Sequence, residues 1–181
     1  MSLPRAAIRC SVGVIVIELE TVRAPLSSAS FLAHVDAGLY RGTSFYRASR
    51  PDNEIWPDHP ASLVQAGIGF NGGSPLPAVA HEPPSLTGLD PLHGTVGLAR
   101  DAPGTACSEF FINLADNPAM REGGQRGDGL GVAIFGRVIE GIELAGHIQH
   151  MPCGRRDAAI PELAWPQMLL EPVTIEEIVR L

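Results

Sequence analysis

"FYRASRPDNEIWPDHPASLVQAG", residues 45–67, sets two apolar runs on either side of a polar interruption broken by Pro51, Pro57 and Pro60. Proline fixes its own φ and carries no backbone N–H, so these three forbid regular structure between the runs. The flanking runs read as strands and the interruption as a surface loop. If the loop's ends return to neighbouring strands, Arg47 and Gln65 face one groove. Side chains alternate along a strand, so Arg47 is expected to point away from Tyr46.

The pattern continues outward from this hairpin. Residues 11–20, "SVGVIVIELE", are rich in β-branched side chains and read as a strand. A helix follows, with Ser27 or Ser28 as its cap, Phe31, Leu32 and Val35 as its apolar face, and Gly38 as its stop. Beyond Gln65, "GFNGGSPLPAVAHEPPSLTGLDPLHG" has no sustained period and reads as a long surface loop. Loops of this length in a compact domain are often functional. "TVGLA" and "EFFINLA" read as buried strands, and "MREGGQRGDGLG" as a second loop. "VAIFGRVIEGIELAGHIQHM" reads as a strand, a turn and a short helix, "CGRRDAAIPELAWPQ" as loop, and "VTIEEIVRL" as a closing strand. Strand follows strand without a helix between each, which argues against a parallel βαβ sheet. A closed antiparallel barrel removes the sheet edges and fits best. The expectation is a mainly β protein of one domain over 1–181, with residues 1–5 outside the fold.

Composition narrows the function classes. Of 181 residues, 45% are hydrophobic, and 20 Gly with 16 Pro suit a turn-rich β protein. A formal net charge of −7 argues against nucleic acid and anionic membranes as partners. Cys10, Cys107 and Cys153 show no disulfide framework, and the N-terminal apolar run is too short for a span, so a cytoplasmic protein is expected. His147, His150 and Cys153 have a metal-like spacing, but a zinc site needs a fourth ligand, and a surface helix end explains them better. No metal and no cofactor is expected. Ser108 has no local histidine to serve as its base, so it reads as a small strand residue.

Taken together, "FYR…LVQAG…GTVGLAR…SEFFIN…FGRVIEG" resembles, in order, the cyclophilin-type peptidyl-prolyl cis-trans isomerases, and the resemblance runs from about Val12 to the end. The strongest block is "FLAHVDAGLYRGTSFYR". The resemblance implies an eight-stranded antiparallel barrel with two capping helices, and activity on X-Pro bonds in peptides or unfolded chains. It implies Arg47 as the catalytic arginine, with Gln65 holding Arg47 or a substrate carbonyl. It implies an apolar proline pocket of Leu63, Leu98, Phe111 and Met120, main-chain pairing at Arg100, and a Glu109 that contacts Arg47 or peptide. Phe45, Ala99 and Val132 complete the expected substrate-binding set. The chain departs from the family at Ser62, Ala119 and Val132, where larger or ring side chains are common. Trp56 in the inserted loop is the candidate replacement, and weak binding of cyclosporin is expected. The alternative reading is a catalytically weak module that binds proline peptides on the same fold. A monomer is expected in either case.

Overall fold

The computed structural model describes residues 2–69, 73–156 and 165–181. Its strands are β1 (Arg5–Cys10), β2 (Gly13–Leu19), β3 (Ser44–Ser49), β4 (Leu63–Gly67), β5 (Thr95–Leu98), β6 (Phe110–Asn113), β7 (Ala133–Glu140), β8 (Cys153–Gly154) and β9 (Met168–Arg180). The sheet order is β1-β2-β7-β5-β6-β4-β3-β9-β8, every neighbouring pair is antiparallel, and a β1–β9 pairing closes it. The result is an eight-stranded antiparallel barrel with the two-residue β8 outside it.

Among the described residues three α-helices accompany the barrel: α1 (Pro25–Asp36), α2 (Pro84–Thr87) and α3 (Ile142–Gln149). Two were expected. The third, α2, is a single turn inside the Gly/Pro segment, begun by Pro84 and ended by Gly88 at φ 66°. Phe31, Leu32 and Val35 of α1 and Ala145 and Ile148 of α3 join the same core as the inward side chains of the barrel. Phe110 lies at its centre, edge-on to Phe31, Tyr40 and Phe45 with ring centroids 5.4, 5.5 and 6.1 Å apart. Edge-to-face pairs at these distances set the positive ring edge against the negative face.

Four local readings are corrected. The N-terminal strand is a hairpin: residues 5–10 form β1, paired with β2 through Cys10↔Gly13. The fold therefore begins at Arg5, within the stretch expected to lie outside it. Neither Ser27 nor Ser28 caps α1. Both are fully buried, and the free N–H groups of Leu26 and Ser27 donate instead to Glu82 of the Gly/Pro segment, at 3.1 and 2.7 Å. A carboxylate at this end also meets the positive pole of the helix. Finally, β9 starts five residues before the expected Val173, at Met168.

Candidate active site

One row of side chains crosses the outer face of the barrel. In register, Arg47 pairs with Gln65, Gln65 with Phe111, Phe111 with Gly97, and Gly97 with Ile134. Residues directly opposite in neighbouring strands share a face. The inward neighbours Val64, Ala66, Val96, Phe110 and Ile112 fill the core, so the row faces outward.

A β-bulge between Phe45 and Arg47 shapes the row's first member. It places one extra residue in β3, and both Tyr46 and Arg47 then meet Gln65. Tyr46 and Arg47 thus do not alternate as expected. Arg47 Nη1 donates to Gln65 Oε1 at 2.8 Å, and Gln65 Nε2 donates to the Tyr46 hydroxyl at 2.6 Å. That hydroxyl donates to Glu109 Oε2 at 2.5 Å. Glu109 also accepts from the Gly69 N–H and the Ser108 hydroxyl. It therefore reaches Arg47 only through Tyr46 and Gln65. Gly67 makes room for it, because a Cβ there would lie 2.4 Å from the carboxylate. Burial, followed by the Glu109 charge, pushes the Tyr46 phenol well above its usual range.

Arg47 itself is 8% exposed. Its Nε donates to Gln167 Oε1 at 2.8 Å, and the Trp165 ring lies 4.9 Å from its guanidinium carbon. Burial, with repulsion from Arg126, lowers its pKa to about 10, so it stays protonated at neutral pH. Among the described residues Nη2 has no hydrogen-bond partner, yet it is not among the fully buried unpaired atoms.

Beside this cation lies a second apolar cluster, distinct from the core. Leu63, Phe111 and Met120 form it with Ala61 and Ile134, and Ala99, Val132 and Leu89 pack at its margin. Two expected pocket residues are elsewhere. Phe45 and Leu98 are fully buried members of the core. The bulge turns Phe45 inward, and strand alternation gives the groove Gly97 instead of Leu98. Ser62 also faces away, accepting from Gln149 Nε2 at 2.7 Å, so Ala61 is the residue on the pocket side. Trp56 packs over Arg126 at 4.5 Å and is not in the apolar cluster. The Arg100 side chain turns from the groove into a forked pair with Asp128, at 2.7 and 3.0 Å. Its main-chain N–H and C=O have no partner among the described residues. Among those residues, no group of three or more His, Cys, Asp or Glu is placed to hold a metal ion.

The family model described as cyclophilin type peptidyl-prolyl cis-trans isomerase matches residues 5–177. The chain belongs to that family. Among relatives of this cyclophilin-type chain, peptidyl-prolyl cis-trans isomerase A of Dickeya dadantii is 37% identical, over 78% of this chain and 68% of its own. Isomerase B of Escherichia coli is 29% identical, over 91% and 95%. A cyclophilin-type isomerase of Cryptosporidium parvum, 20% identical, has the same fold with a TM-score of 0.74, covering 99% of this chain and 98% of that one. The same parasite enzyme was also crystallised in the presence of the dipeptide Ala-Pro, and that structure aligns with a TM-score of 0.71.

Sequence reasoning missed Tyr46, Gln167 and Trp165 in this cyclophilin-type site. It also gave Gly97 no role, although a Cβ there would lie 2.5 Å from Phe111 Cζ and 3.0 Å from Ile134 Cδ1. Gly97→Ala is therefore expected to push the Phe111 ring across the groove. Peptide affinity should fall by about tenfold, with a stability loss of about 1–3 kcal/mol for overpacking. Titration with an Ala-Pro peptide beside a thermal melt checks both.

Proposed function

We propose that this protein catalyses cis–trans isomerisation of X-Pro bonds in peptides or unfolded chains, with Arg47 as the catalytic donor. No covalent bond breaks in this reaction. The obstacle is amide resonance, a barrier of about 18–20 kcal/mol. In the twisted amide the proline nitrogen becomes pyramidal and regains a lone pair. A donor aimed at that lone pair bonds strongly only in the twisted state, which is the condition for lowering a barrier.

The observation that carries the reading is the state of the Arg47 guanidinium. It is protonated, and Gln65 and Gln167 hold two of its nitrogens while Nη2 is unengaged among the described residues. The adjoining cluster of Leu63, Phe111 and Met120 suits a proline ring. The main chain of Arg100, unpaired among the described residues, suits an extended peptide that binds by its backbone. Gln65 serves as a positioning residue, since its oxygen is spent on Arg47 and its amide on Tyr46. Three unpaired cysteines favour a reducing compartment such as the cytoplasm. No described helix is long and apolar enough to cross a membrane.

The small residues Ala61 and Ala99 in the pocket favour the second reading, a binding module with little turnover. Exchange NMR on a short Ala-Pro peptide separates the two. Isomerisation faster than the uncatalysed tens to hundreds of seconds supports the enzyme. Binding without acceleration would sink that reading and leave the module.

A further inference from the structure

The inserted loop between β3 and β4 is wired to Arg47. Its Glu54 has a side chain 1% exposed and accepts hydrogen bonds from six residues: Ser49, Ile55, Trp56, Ala61, Arg126 and Gln167. The link from Gln167 Nε2 to Glu54 Oε1 is 3.0 Å, and the same nitrogen donates to Ser49 Oγ at 3.0 Å. With its amide nitrogen committed to these two acceptors, Gln167 presents its oxygen to Arg47 Nε at 2.8 Å. At the base of the loop the one Ser49 hydroxyl proton is shared between Glu54 Oε2 and Ala61 O, which lies 2.9 Å from Ser49 Oγ.

The two tryptophans of the chain complete the assembly. Trp165 covers Arg47, Trp56 meets Trp165 edge-on at 6.4 Å, and Arg126 covers Trp56. A guanidinium is a planar fork. Gln65 and Gln167 pin two positions in its plane, and Trp165 bounds the plane from one side. These restraints fix its translation and its tilt, and Nη2 follows.

We infer that Glu54, Trp165 and Gln167 are positioning residues for Arg47, and that the inserted loop is the built support of the catalytic guanidinium. The inference rests on the isomerase reading for its meaning, though its geometry can be tested without turnover. A catalytic donor held off by even a small angle loses rate while the peptide still binds.

The test uses the full chain, an Ala-Pro peptide, and Gln167→Leu and Trp165→Leu beside the wild type. Two readouts are taken: kcat against peptide affinity, and the Nε–H NMR signal of Arg47, assigned by its loss in Arg47→Lys. Gln167→Leu is expected to lower kcat by about fivefold, the scale of one hydrogen bond. Peptide affinity should stay within about twofold, because a group acting through orientation moves kcat more than binding. The Nε–H signal should shift and exchange faster. Trp165→Leu keeps both hydrogen bonds, so its Nε–H signal should lose only the ring-current shift, with a smaller fall in kcat. Should Gln167→Leu fail to fold, Trp165→Leu decides on the same readouts. An Nε–H signal and kcat unchanged from wild type would overturn the inference. A wild type without catalysis, but with Nε–H signals that move as described, overturns the isomerase reading and leaves the support of Arg47 standing.

Discussion

Arg47→Lys is expected to lose about tenfold to a hundredfold in isomerisation rate, although lysine is the other long basic side chain. Lysine offers a compact ammonium with three donors and no planar fork. It cannot satisfy the oxygens of Gln65 and Gln167 and still hold a donor in the same plane for the amide nitrogen. Burial compounds the loss. The site already lowers the arginine to about 10, through desolvation and the nearby Arg126. The same surroundings act on an ammonium whose ordinary pKa is about 10.4, so a lysine here is drawn toward its neutral form. The sign follows: the residual activity of Arg47→Lys should rise as pH falls, because acid restores the charge, while the wild type stays flat across the neutral range. Peptide affinity should remain within about threefold, since the lost bond belongs to the twisted state. Exchange NMR gives the rate and titration gives the affinity. A lysine variant as fast as wild type would remove Arg47 from the chemistry.

How much of this was legible in the sequence depends on how far apart the partners lie. Arg47 and Gln65 could be placed on one groove from the two strands flanking the interruption, while Phe111 came from the family resemblance, and the barrel sets all three in one row. The resemblance also put Phe45 in the groove, and alternation missed that Tyr46 sits beside Arg47, since a bulge leaves no mark in "SFYRAS". The support of Arg47 from Gln167 spans 120 positions, and no periodicity reaches that far. A weaker signal was present. Both tryptophans precede proline, in "WP" at 56–57 and 165–166, and a large ring inside a polar, turn-forming stretch needs a partner to cover it. The early start of β9 was hidden by Pro172, which normally demotes a strand. It is tolerated because the β3 pairing skips that stretch. Val173 pairs with Phe45 and Met168 with Arg47, so the four β9 residues between them oppose the single Tyr46 of β3. The excursion is covered by β8 instead, through Leu169 and Met168. Bulge, skipped pairing and covering strand together open the space in which Gln167 reaches Arg47.

Glu54→Gln should be among the most damaging single changes in the molecule. The substitution is nearly isosteric, so its effect isolates charge and hydrogen bonding. Glu54 is buried, and its partner Arg126 is only 10% exposed at the side chain. Breaking a buried ion pair from one side strands the other charge and costs about 3–5 kcal/mol. For a chain of this length that is roughly 10 °C in Tm. The amide also turns its NH₂ either toward the N–H groups of Ile55 and Trp56 or toward that of Ala61, setting donor against donor in both orientations. By contrast, Asp36→Asn breaks the exposed pair with Arg180 and should cost at most about 1 kcal/mol. The pH dependence separates charge from packing. Burial alone would raise the Glu54 carboxyl, but the Ala61 N–H and the Arg126 guanidinium outweigh it and hold the group below its ordinary 4.5. A carboxylate lowered in the folded state contributes its stability above 4.5 and loses it as pH falls through the folded value. Wild type and Glu54→Gln should therefore differ most in thermal melts at neutral pH and converge in acid. Equal melts at neutral pH would mean that Arg126 finds its compensation elsewhere, and that the loop stands without its carboxylate. A gap that persists unchanged into acid would assign the loss to the misplaced amide donors rather than to the stranded charge.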